Sequence, residues 1–108
     1  MKRYIPRLVD DTLRFKLRSS GAVWIKGPKW CGKSTTAEQF ARTVIRMQDE
    51  GSKEQNIALA KMSPAEFLKG EAPVLIDEWQ VIPFIWNQIR TEVDRRDEFG
   101  LFLLTGSK

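Results

Sequence analysis

The chain has 108 residues, a formal net charge of +4 and one cysteine, enough for a single core and too little for two. No stretch approaches the ~18 apolar residues of a membrane span, and the N-terminus lacks the apolar core of a signal peptide. The lone Cys31 cannot staple the fold and fits a reducing compartment, so the chain reads as cytoplasmic, with no membrane partner.

Taken in order, Pro6 to Ser19 opens with a proline suited to a first helical turn, and Leu8, Val9, Leu13 and Leu17 form one apolar stripe. The spacing predicts a helix within residues 1–20, packed on a core formed by residues 21–108. Lys2, Arg3, Arg7, Arg14, Lys16 and Arg18 crowd this segment and read as its solvated face rather than a nucleic-acid surface. Ala22 to Lys26, AVWIK, is a short buried strand after a Ser-Ser-Gly turn.

Gly27 to Ser34, GPKWCGKS, then matches the phosphate-loop pattern G-x-x-x-x-G-K-[ST] at every specified position. Triphosphate oxygens need many short hydrogen bonds at once, and backbone amides curled into a nest supply them where glycines leave room. Gly27, Pro28, Lys29, Trp30, Cys31, Gly32, Lys33, Ser34 and Thr35 are the candidate nucleotide-binding residues. Lys33 brings a mobile ammonium to the outer phosphates, and the Ser34 hydroxyl has the size and hardness to ligate magnesium. Cys31, close to a helix N-terminus and Lys33, reads either as an activated thiol or as a small residue filling the loop. Of the four tryptophans, Trp30 alone must approach a ligand, and the others read as packing residues.

Beyond the loop, Ala37, Phe40, Ala41, Val44 and Ile45 recur at helical spacing, which puts a helix N-terminus under the phosphates. Thr43 to Gln48 suits either a continuation of that helix or a second strand, and its β-branched run favours the strand. Asp49 to Asn56 is the most polar window, a surface loop or a helix start. Ser63, Pro64 and Glu66 predict a capping box opening a short helix from Pro64 to Lys69, stopped by Gly70. Pro73 to Asp77 is a proline-started buried strand. After Pro83 a long helix follows on Ile85, Trp86, Ile89 and Val93, and residues 97–100 turn the chain into the buried run Leu101 to Leu104.

Strands alternating with helices predict an α/β fold, a mostly parallel sheet covered on both faces. Val74 to Glu78, VLIDE, has the form of a strand that carries an acid to the phosphate loop. Asp77 is the candidate magnesium ligand with Ser34, and Glu78 the carboxylate that activates water. Thr105, at the end of LFLL, is either a polar sensor of the attacking water and terminal phosphate or the start of a Thr-Gly-Ser turn. Lys33, Glu78 and Thr105 are thus the candidate catalytic residues. A small-molecule kinase, and a switch or scaffold that binds nucleotide without turnover, stand as alternatives. A GTPase fits less well, since Asp77-Glu78-Trp79-Gln80 replaces its usual Asp-x-x-Gly element.

The combination of YIPRLVDDTL, GPKWCGKS, VLIDEWQ and LFLLTGS resembles, over essentially the whole chain, the AAA-type P-loop ATPases of bacteria and archaea. In these proteins the nucleotide domain precedes a C-terminal domain of unassigned role. The resemblance implies a P-loop NTPase three-layer sandwich in which the Thr105 strand inserts between the loop strand and the acidic strand. It implies ATP and Mg2+ as ligands, with ATP binding and hydrolysis on Gly27, Gly32, Lys33, Ser34, Asp77, Glu78 and Thr105. It also implies assembly with further copies in a full-length form, and a nucleic-acid context through a nuclease-like downstream domain. Family members continue into a fifth strand, site-completing arginines and a helical lid. This chain stops after the fourth core strand, so it reads as a fragment that binds nucleotide more surely than it turns it over.

Overall fold

A computed structural model describes the backbone of residues 8–26 and 33–106, and side chains within residues 13–25 and 37–106. The order of elements is α1 (Leu8–Ser19), β1 (Ala22–Lys26), α2 (Lys33–Phe40), β2 (Thr43–Arg46), α3 (Lys53–Met62), α4 (Pro64–Phe67) and β3 (Val74–Asp77). A 3-10 turn (Trp79–Val81), α5 (Ile85–Arg96) and β4 (Phe102–Gly106) complete it. The four strands form one parallel sheet in the order β1-β4-β3-β2. The last strand therefore enters between the first and third, as the resemblance implies.

The two faces of the sheet follow from the period-2 alternation of strand side chains. Val23, Leu75 and Leu103 face α1 and α2, where Leu13 and Ala37 complete a buried cluster. Val74, Ile76, Phe102 and Leu104 face the other way, against Ile82, Ile85, Ile89, Ala60 and Phe67. A sheet buried on both faces has almost no polar positions, and Val74, Leu75 and Ile76 are all buried in succession. At the N-terminal end of the sheet α5 comes so close to Gly21 that a Cβ there would lie 2.5 Å from Val93 Cγ1.

Some elements decide between open readings, the favoured strand at Thr43 among them, and others depart from the expectation. α2 stops at Phe40, and Val44 and Ile45, which continue its helical spacing, belong to β2. There they point to opposite faces, Val44 into the α1/α2 cluster and Ile45 into the cluster on the other face. Pairing with β3, residue for residue from Thr43–Val74 to Arg46–Asp77, decides for the strand. The capping box at Ser63 does not form: Ser63 makes no side-chain cap bond, because it also closes α3, its N–H donating to the Leu59 carbonyl with φ −144°. The helix it opens is a single turn ending at Phe67. The polar window is the approach to α3, a ten-residue helix in which Ala60 is the buried residue. β4 runs on through Thr105 and Gly106, so these are ladder positions and not a turn.

Candidate functional site

Parallel strands all finish at one end of the sheet, and a helix joining two of them must run back antiparallel to them. α2 lies against β1, β3 and β4. Its first residues, Lys33 to Thr35, therefore sit at the end where β3 and β4 finish. Lys26, the last residue of β1, pairs with Gly106 at that same end. The loop residues Gly27 to Gly32, including Trp30 and Cys31, lie outside the described residues, as do the side chains of Lys33, Ser34 and Thr35.

One row of paired residues crosses the sheet here: Ile25 with Thr105, Thr105 with Asp77, and Asp77 with Arg46. Partners in register share a face, and this row faces α2. Consistent with that, Arg46 Nη2 lies 2.7 Å from Glu38 Oε2 on α2. The Thr105 hydroxyl donates to Asp77 Oδ1 at 2.5 Å, joining the ends of two adjacent strands. Thr105 is fully buried and Asp77 half-buried. Asp77 thus offers a hard carboxylate at the lip of the sheet, bonded to a fully buried neighbour.

Glu78 follows immediately, and the backbone turns sharply there. Its φ of 60° and ψ of 50° are left-handed, a conformation that costs an L-residue ~1–2 kcal/mol. Such strain persists only where surrounding structure over-determines it, and it gathers at functional positions. The turn carries the carboxylate into the protein: Glu78 is 4% exposed, and its Oε1 accepts a 2.6 Å hydrogen bond from Gln80 Nε2. Gln80 itself lies against the end of β4, where a Cβ on Gly106 would come 2.9 Å from Gln80 Oε1. That oxygen is buried and accepts no hydrogen bond from any described residue.

Trp79, between these two polar residues, packs on Trp24 of β1 edge to face, with centroids 5.3 Å apart and planes at 87°. It also touches Trp86 of α5 at 6.2 Å. Three tryptophans from three elements thus brace the β3 exit, with Trp24 and Trp86 on the surface, 45% and 38% exposed. Aromatic pairs of this kind contribute ~0.5–1.5 kcal/mol beyond their buried area. The packing role expected of these tryptophans is the one they have.

Of the residues singled out from sequence, Asp77, Glu78 and Thr105 come together at the strand ends, next to the start of α2. Sequence reasoning passed over Gln80 and Gly106. Gln80 figured only as a departure from a GTPase element, and nothing in local spacing signals that its amide turns back on Glu78.

No group of three or more His, Cys, Asp or Glu able to hold a metal occurs among the described residues. Asp77 alone, with hydroxyl and phosphate oxygens, still fits magnesium, which keeps much of its water and takes few protein carboxylates.

A parallel sheet in which one strand inserts between β1 and the acidic strand β3, with polar residues at the carboxyl ends, matches the core of a P-loop NTPase-like domain. The chain belongs to the AAA domain family, whose profile matches residues 19–108. It is accordingly a nucleotide-binding domain of the AAA type. No curated protein and no solved structure matches it. None of the described helices is long and apolar enough to cross a membrane.

Proposed function

We propose that this AAA-type domain binds ATP with Mg2+ and hydrolyses it in the context of a larger ATPase. The observation that carries this reading is the adjacency of Asp77, Thr105 and Glu78 at the exit of two neighbouring strands. It gives the site two carboxylates in different environments, one on the lip and one buried. Asp77 and Ser34 would hold the ion, which supplies charge neutralisation on the phosphate oxygens. Gly27 to Gly32 would wrap the phosphates, and Lys33 would reach the outer ones.

Glu78 takes a proton from the attacking water. The water oxygen forms a bond to the terminal phosphorus as the bond from phosphorus to the bridging oxygen breaks, leaving ADP and phosphate. Thr105, buried beside this pair, holds Asp77 in place through its hydroxyl. The family resemblance, rather than any contact described above, supports a downstream domain, further copies in the working assembly and a nucleic-acid partner.

Calorimetric titration with MgATP tests the binding part: wild type should bind and Lys33→Ala should not. Phosphate release tests the chemistry, with Glu78→Gln expected to lower it ~10²-fold or more, the usual scale of a lost general base. Transfer to an added small-molecule acceptor in place of free phosphate would identify a kinase. Binding with no release above the Glu78→Gln level would identify a switch.

A further inference from the structure

Gln80 has a side chain whose bonding makes little sense as packing alone. It reaches back two residues to donate its amide to Glu78 Oε1 at 2.6 Å, while its own oxygen lies buried with no donor among the described residues. A glutamine placed only to fill space would lose nothing as methionine, which has the same length and no polar atoms to satisfy. The space it occupies is left open by Gly106, since a Cβ there would reach to 2.9 Å from Gln80 Oε1. Gly106 follows directly on Thr105, the residue that holds Asp77. Glu78 meanwhile sits in a left-handed turn with its carboxylate buried, 4% exposed.

We infer that Gln80 is a positioning residue that orients the Glu78 carboxylate towards the nucleotide, held in place by the gap at Gly106. This rests on the reading of Glu78 as the base of ATP hydrolysis. A carboxylate acting on a bound water must present one oxygen to it, and a donor on the other oxygen fixes which one. In this role Gln80 acts through Glu78, to which it donates. It therefore influences turnover and leaves nucleotide affinity alone.

The test compares wild type with Gln80→Met, Gly106→Ala, Glu78→Gln and the Gln80→Met/Glu78→Gln double variant, measuring ATP affinity, phosphate release and Tm. Gln80→Met should release phosphate on the order of tenfold more slowly, part of the 10²–10⁴ a general base contributes. Its ATP affinity should stay within about twofold, and its Tm should fall only modestly, because the buried Glu78 carboxylate loses a donor while the buried Gln80 oxygen is removed with it. Gly106→Ala, whose Cβ displaces the end of the Gln80 side chain, should slow release in the same way. Adding Gln80→Met to Glu78→Gln should cause no further loss, the signature of a residue acting through another.

Equal release rates in wild type and Gln80→Met, or additive losses in the double variant, would overturn the role of Gln80 while leaving hydrolysis intact. Loss of ATP affinity together with rate in both Gln80→Met and Gly106→Ala would make Gln80 a folding residue and overturn it as well. A wild type that releases no more phosphate than Glu78→Gln would remove the hydrolytic reading and this inference with it.

Discussion

Replacing Thr105 with valine isolates the bond that ties the site together. Valine has the shape and strand preference of threonine, so β4 and its pairing with Ile25 and Asp77 should be unchanged. What disappears is the hydroxyl that donates to Asp77 Oδ1 at 2.5 Å from a fully buried position. A hydrogen bond to a charged acceptor contributes ~1.5–3 kcal/mol, and the methyl put in its place returns ~0.8 kcal/mol of apolar burial. The net cost is therefore about 1–2 kcal/mol, which lowers the Tm of a domain this size by about 5–15 °C. Urea and thermal unfolding followed by circular dichroism measure it, and Asp77→Ala with the double variant closes the cycle. The two single losses should exceed that of the double variant, with a coupling of ~1–3 kcal/mol. A Tm within about 2 °C of wild type, or strict additivity, would show that the strand ends are not joined through this pair.

Three further outcomes follow from the packing and charge. Ile89 is fully buried between α5 and the sheet, so Ile89→Ala should cost ~2–5 kcal/mol and leave the domain largely unfolded at 37 °C, as read by urea titration. Gly21→Ala puts a Cβ 2.5 Å from the stiff Val93 side chain and should destabilise by ~1–3 kcal/mol; Val93→Ala in the same chain should restore part of that, and its failure to do so would locate the strain elsewhere. Glu92, whose carboxyl is held below its ordinary 4.5 first by its hydrogen bond from Arg95 and then by Gln88 and nearby guanidinium charge, against an opposing effect of burial, contributes stability that is complete above that pH. That contribution is lost as pH falls through the lower folded value, so Glu92→Gln should cost ~0.5 kcal/mol at neutral pH and converge with wild type in acid.

Much of this architecture could be read along the chain. The loop pattern Gly27 to Ser34, the apolar runs AVWIK, VLID and LFLL, and the stripe on Ile85, Ile89 and Val93 are local signals. Each is set by the few residues that form the element, through period, proline and glycine chemistry. The parallel α/β class follows from their alternation, because a strand buried on both faces must be apolar throughout. The nomination of Asp77 and Glu78 needed only a polar pair at the end of such a strand.

Other features are not properties of any window. Thr43 to Arg46 has the spacing of a helix and the composition of a strand, and only the ladder with β3 chooses between them. Ser63 has the residues of a capping box, but the end of α3 already sets its backbone. α3 buries so little that its sequence carries almost no stripe to read. The bond from Thr105 to Asp77 spans 28 positions, and the gap at Gly106 takes its meaning from Gln80, which is distant along the chain. Sequence alone determined which residues could bear the chemistry, since that depends on side-chain type and local spacing. Tertiary structure decided which of them share a row, which carboxylate is buried and what holds it, because register and burial are set by contacts between segments that no local pattern encodes.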